Sequence, residues 1–180
     1  IDRENELQFL EDQYSASSAT LIVLKGRRRV GKTALMTHFI QNKHAIYFLV
    51  TEESEHQNRN AFKDMVAYFT GNALLKAAAV DHWDLIFQTL TDSVTDKRLI
   101  ILIDEFQYLG KSNPAFPSFF QKIWDTILKD RNVMVILCGS LISMMESQTL
   151  SYSSPLYGRR TGQIKLKQIP FSYYNKFFPD

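Results

Sequence analysis

The segment Gly26-Arg27-Arg28-Arg29-Val30-Gly31-Lys32-Thr33 fits the pattern G-x-x-x-x-G-K-[ST] without a mismatch. An apolar run, Leu21-Ile22-Val23-Leu24, leads into it, and a helix-like stretch from Ala34 to Gln41 leads out. Strand, glycine loop and helix in that order place the loop at the carboxyl end of a buried strand. The consecutive backbone N–H groups of such a loop form a concave nest for an anion, and the following helix points its positive end at the same place. Gly26 and Gly31 let the backbone adopt conformations, and approach a phosphate, in ways a Cβ would hinder. Lys32 supplies a mobile ammonium for the β- and γ-phosphates of a nucleoside triphosphate, and Thr33 a hydroxyl for magnesium. The candidate phosphate-binding residues are therefore Gly26, Arg27, Arg28, Arg29, Val30, Gly31, Lys32, Thr33 and Ala34. The three consecutive arginines read two ways, as a solvated basic loop or as a contact to phosphate or an acidic partner.

The rest of the chain alternates between two periodicities. Helical spacing is expected over 2–13, 32–41, 57–70, 83–94, 117–129 and 140–147. Short strand-like runs are expected at 20–25, 45–50, 99–103, 133–138 and 163–167. Leu99 to Ile103 and Val133 to Cys138 are uniformly apolar, as strands covered on both faces tend to be, and Gln163 to Lys167 alternates like an edge strand. Alternating strands and helices predict an α/β fold, a parallel sheet with helices on both faces. Ligands of such sheets bind beyond the carboxyl ends of the strands.

Two further segments are expected on that edge. Asp104-Glu105 directly follows the apolar run ending at Ile103. Asp104 would hold magnesium, directly or through water, and Glu105 would polarise a water attacking the γ-phosphate. Ser140 follows Val133 to Gly139 and reads either as a sensor of the γ-phosphate or as the N-cap of the next helix, roles that are compatible. Arg159 and Arg160, just before the last strand, read as a surface basic turn or as an arginine finger reaching a neighbouring subunit's nucleotide, which would require a homo-oligomer.

Composition narrows the partners. In 180 residues the net charge is +2, so electrostatics alone do not argue for DNA binding. The apolar runs are too short to cross a membrane, and no signal peptide is visible in a chain that opens at Ile1. The single cysteine, Cys138, sits in a core strand and suits a reducing, cytoplasmic compartment. The histidines at 38, 44, 56 and 82 show no metal-ligand spacing.

These segments together resemble the archaeal-type ATPase family, prokaryotic signal-transduction ATPases related to AAA+ and origin-recognition ATPases. Asp2-Arg3-Glu4-Asn5-Glu6-Leu7 is similar to the family's N-terminal R-E-x-E-L box, and Gly26 to Thr33 to its Walker A loop. Asp104-Glu105-Phe106-Gln107-Tyr108-Leu109 is similar to its D-E-F-Q-x-L Walker B segment. Cys138-Gly139-Ser140 and Pro155-Leu156-Tyr157-Gly158-Arg159-Arg160 are similar to its sensor region and P-L-Y-G-R pattern. The resemblance implies a P-loop NTPase three-layer α/β/α sandwich with a five-stranded sheet in the order 5-1-4-3-2. It implies an ATPase core over 1–170 and the start of a helical lid at 171–180. It places Arg3 near the adenine, as a base-side or a structural residue. It also implies C-terminal winged-helix or nuclease-like domains, and hence DNA as a partner through them.

The reading that follows is an ATP- and magnesium-dependent hydrolase acting as a switch between ATP and ADP states. Two alternatives stand beside it: a regulatory nucleotide-binding module with little hydrolysis, and a P-loop kinase of a small acceptor. Guanine specificity is disfavoured, because no N-K-x-D segment occurs.

Overall fold

Apolar strands with no polar face need cover on both sides, and the chain supplies it with helices between every pair of strands. The structure, a computed structural model, describes residues 3–94 and 96–168. Helix α1 (Glu4–Tyr14) precedes β1 (Thr20–Lys25), and α2 (Lys32–Ile40) leads to β2 (Ala45–Leu49). Three helices follow, α3 (Glu55–Thr70), α4 (Ala73–Ala77) and α5 (Trp83–Asp92), before β3 (Leu99–Asp104). Helices α6 (Gln107–Ser112) and α7 (Phe116–Thr126) then lead to β4 (Val133–Gly139), and α8 (Ile142–Met145) precedes β5 (Gly162–Lys165). All five strands are parallel and lie in the order β2-β3-β4-β1-β5, the order the family resemblance implies. The lid start expected at 171–180 lies outside the described residues.

The inner strands divide their side chains by parity, as a pleated strand must. Leu21, Val23, Leu99, Ile101, Ile103, Val133, Val135 and Leu137 face α3, α5 and α7. On that side Phe62, Phe87, Phe106, Phe116 and Phe120 pack with ring centroids 5.0–6.4 Å apart, in tilted, edge-on and stacked pairs. Ile22, Leu24, Ile100, Leu102, Met134, Ile136 and Cys138 face α1 and α2, where Leu10, Leu35, Met36 and Phe39 cover them. No described helix is long and apolar enough to cross a membrane.

Several element ends differ from expectation, each for a local reason. Helix α3 begins at Glu55 rather than Gln57, because Ser54 and Gln57 form a reciprocal cap: Gln57 N donates to Ser54 Oγ and Ser54 N to Gln57 Oε1, both at 3.2 Å. Helix α7 stops at Thr126, where Ile127 leaves the helical region at φ −125°; a 3₁₀ turn, Leu128–Asp130, completes the stretch. The helix expected over 140–147 is the short α8 followed by a π-type run, Glu146–Leu150, and its N-cap is Leu141, not Ser140. Helices α4 and α6 were not expected.

One buried cation ties the edge of the sheet remote from the glycine loop. Arg98, 8% exposed, donates to the carbonyls of Gln13, Ala16 and Ser18, to Thr20 Oγ1 and to Asn132 Oδ1. It thereby joins the end of α1 and the start of β1 to the strand entries of β3 and β4. Burial pulls its pKa down, and the ring of acceptors keeps the charged form in place. Arg98→Ala leaves these acceptors without their donor. It is expected to lower stability by about 2–3 kcal/mol, read as a shifted urea midpoint at unchanged slope.

Candidate functional site

The parallel register brings the carboxyl ends of the inner strands level. Lys25 of β1 pairs with Gly139 of β4, and Ile103 of β3 with Leu137. Gly26 N donates to Gly139 O at 3.2 Å, and Phe106 N to Cys138 O at 2.9 Å. The glycine loop, Asp104-Glu105 and Ser140 therefore meet on one edge of the sheet.

The loop takes the shape of an anion nest. Arg29 and Gly31 both have positive φ, 66° and 89°. Gly31 is the N-cap of α2 and offers no side chain, so the first-turn N–H groups of α2 have no side-chain cap. Lys32 is buried, and its ammonium rests on the carbonyls of Gly26 and Arg27 at 2.8 and 3.0 Å. A cleft of about 480 Å³ opens here, lined by Arg28, Arg29, Gly31, Lys32, Thr33, Ala34, Glu105 and Tyr108. Arg27 and the buried Val30 do not line it. Of the three arginines, Arg28 and Arg29 face the cleft, and Arg28 donates to Tyr108 Oη at 2.9 Å.

Strand parity puts Asp104 on the α2 face, below the loop. Its Oδ1 accepts from Glu105 N at 2.9 Å and its Oδ2 from Tyr47 Oη at 2.7 Å. Burial, then the Asp104 carboxylate, push the Tyr47 phenol well above its ordinary 10.0. Burial and the same carboxylate push the Cys138 thiol up as well, so Cys138 is a core thiol and not a nucleophile.

Glu105 takes a left-handed backbone at φ 54°, a strained conformation for a residue with a Cβ. Its carboxylate accepts from Ser140 Oγ at 2.7 Å, from Ser140 N at 3.2 Å and from Gln107 Nε2. Burial alone would raise its pKa. The hydrogen bonds from Gln107 and Ser140, with the Lys32 ammonium nearby, outweigh burial and hold it below the usual range. Ser140 thus spends its hydroxyl on Glu105 rather than on a helix cap.

The remaining candidates lie away from the cleft. Arg3 donates to Glu6 Oε1 at 3.0 Å, to Val30 O at 3.0 Å and to Lys167 O at 2.6 Å, a brace between α1, the loop and the exit of β5. Arg159 grips Asp125 of α7 through Nε and Nη2, the shortest contact being 2.7 Å, and this holds the Asp125 carboxyl below its usual range. Arg160 lies 4.9 Å over the Tyr157 ring. Both precede β5, whose first residue Gly162 pairs with Ile22, so they sit at the opposite edge of the sheet from their own chain's loop.

Sequence reasoning missed Tyr47, Gln107 and Tyr108 as site residues. Gln107 and Tyr108 stood in the D-E-F-Q-x-L run, and their nearness to Glu105 was the available signal. Tyr47 carried no signal of its own, since its meeting with Asp104 depends on β2 lying beside β3.

The family described as an ATPase domain predominantly from Archaea matches residues 1–180. An uncharacterised protein of Methanocaldococcus jannaschii is 39% identical over 183 residues, covering 99% of this chain and 38% of that protein. An uncharacterised ATP-binding protein of the same organism is 51% identical over 43 residues, 24% of this chain and 73% of that one. Among solved structures, the Walker-type ATPase of Pyrococcus abyssi superposes with a TM-score of 0.71 at 22% identity, covering 98% of this chain and 56% of that one. The Aeropyrum pernix ORC1 protein, solved in complex with DNA, gives 0.65 at 15% identity, over 94% of this chain and 46% of that one. The two structural likenesses are likenesses of fold. The chain spans little more than a third of the first of these relatives.

The Tyr47–Asp104 contact has a consequence at high pH. The phenol is raised in the folded state, so its contribution is fully present below the unfolded value near 10.0 and is lost as pH rises through the folded value. A falling urea midpoint above pH 10 is expected, with a shallower fall in Tyr47→Phe. Identical profiles for the two proteins would remove Tyr47 as the source.

Proposed function

This chain belongs to the family of ATPase domains predominantly from Archaea, and we propose that it binds ATP with magnesium and hydrolyses it. In this reading the domain is a cytoplasmic nucleotide switch for DNA-binding or effector domains outside these 180 residues. The observation that carries the reading is the shared cleft: a nest-shaped loop with Lys32 and Thr33 on one wall, and the ionised Glu105 on the other.

The donor set fits magnesium. Thr33 and Asp104 offer hard oxygen ligands, and among the described residues Asp104 meets the neutral donors Tyr47 Oη and Glu105 N and forms no ion pair. Thr33 and Asp104 would hold the ion, and when bound it supplies charge neutralisation at the β- and γ-phosphates. Lys32 would exchange its two loop carbonyls for phosphate oxygens, so the loop needs little reorganisation beyond that swap. Glu105 would orient the attacking water. The water oxygen bonds to the γ-phosphorus, the bond to the β–γ bridging oxygen breaks with its electron pair left on ADP, and Glu105 accepts the water's proton. Ser140 would sense the γ-phosphate through its bond to Glu105. Arg28 and Arg29 would reach the outer phosphate oxygens, and Arg3 would keep the loop in place behind Val30.

Support for the switch role is the greater length of the first of these relatives and the fold likeness to a protein solved on DNA. Binding energy enters such a switch only through contacts that differ between ATP and ADP states. If one of the terminal arginines is a finger for a neighbouring subunit, Arg160 is the better placed. Arg159 would first have to leave Asp125, whereas among the described residues Arg160 leans only on Tyr157.

Lys32→Ala is expected to abolish ATP binding in calorimetry. Glu105→Gln is expected to bind ATP normally while phosphate release falls by about a hundred-fold or more. Phosphate should be released without any acceptor, which separates hydrolase from kinase; equal turnover by Glu105→Gln and the parent would sink the role given to Glu105. For the finger, specific activity should rise with protein concentration and lose that rise in Arg160→Ala. Activity strictly proportional to concentration would argue against it.

A further inference from the structure

The Glu105 carboxylate is gripped from one side only. Ser140 Oγ, Ser140 N and Gln107 Nε2 all donate to Oε2, and among the described residues no donor reaches Oε1. Two of these donors come from the strand end at Ser140. The third comes from a side chain that is fully buried and does not line the cleft.

Gln107 is an odd choice for that place on packing grounds. Its amide oxygen is buried with no hydrogen-bond partner among the described residues. An apolar side chain of the same length would avoid that penalty. Gln148 Nε2 donates at 3.1 Å to the Gln107 backbone carbonyl, an acceptor any residue offers. The fold also makes room for the amide. A Cβ on Gly139 would fall 2.2 Å from Gln107 Oε1, so the glycine before Ser140 is the space in which the amide sits. Among the described residues the side chain makes one hydrogen bond, the bond to Glu105.

We propose that Gln107 is a positioning residue that, together with Ser140, fixes Oε2 of Glu105 and leaves Oε1 as the oxygen that faces the attacking water. The proposal rests on the reading of Glu105 as the water-orienting carboxylate. It explains how a residue on a strained backbone keeps a single carboxylate orientation: three donors on one oxygen stop rotation about the terminal bond, and the unbonded oxygen is the one free to take a proton. Gln107 touches neither nucleotide nor water in this arrangement and acts only through Glu105.

The test is Gln107→Met, which keeps the length and removes both the donor and the orphaned oxygen, measured in the intact protein beside Glu105→Gln and the double variant. The expected result is a protein at least as stable as the parent, with unchanged ATP affinity and turnover lower by about ten- to a hundred-fold. In the Glu105→Gln background the same change should cost nothing further, because the two residues act as one unit. A second readout needs no turnover. The Gln107 side-chain amide proton that is bonded to the carboxylate should resonate downfield and exchange slowly, and should lose both properties in Glu105→Ala. Parent-like turnover in Gln107→Met, or a loss of ATP affinity that accounts for the loss of turnover, would overturn the proposal, as would an ordinary, fast-exchanging amide proton in that bond. Parent-like turnover in Glu105→Gln would instead overturn the role of Glu105, so the two failures are distinguishable.

Discussion

Three strands with no polar face set the terms for everything else in this protein. β1, β3 and β4 are buried nearly along their whole length, and each divides its side chains between two apolar clusters by simple parity. A slip of one residue in any of them would exchange the two sets and undo both layers of packing, so the register is strongly specified. Being parallel, the strands then end on one edge. The glycine loop, the acidic pair and Ser140 are neighbours because the core leaves them nowhere else to be.

Parity also decides which face each polar group meets. Asp104 continues the series Ile100, Leu102, and so falls on the α2 face with Tyr47 and Cys138, beneath the helix that begins at Lys32. Glu105 would turn to the other face if the strand continued. Instead the backbone takes a left-handed step there, and the carboxylate is met by Gln107 and Ser140. A step of this kind costs about 1–3 kcal/mol, which the surrounding hydrogen bonds and the packing of Phe106 must offset. Preorganisation of the cleft follows: Lys32 rests on loop carbonyls and Glu105 on neutral donors, so opposite charges share one cleft without closing on each other as an ion pair.

Much of the fold was legible because its signals are local. The G-x-x-x-x-G-K-T loop needs neighbours only a few residues away, and uniformly apolar runs announce doubly covered strands. The capping box at Ser54 was there to be read and sets the start of α3 two residues earlier than periodicity alone suggests. The short helices α4 and α6 carry too few turns to show a period. Ser140 looked like a helix cap because a small polar residue before Leu141 has that local appearance; its actual partner is 35 residues away, where tertiary packing brings Glu105.

By itself the sequence determined the strand and helix alternation, the loop with Lys32 and Thr33, and the presence of Asp104 and Glu105 at a strand end. These depend on residue type and short-range spacing. Only the tertiary structure decided what those groups touch: Tyr47 on Asp104, Gln107 and Ser140 on one oxygen of Glu105, Arg28 on Tyr108, Arg159 drawn to Asp125. Each of those contacts is set by strand order, by side-chain direction at a turn, or by the space a glycine leaves. None of these is written in the spacing of residues along the chain.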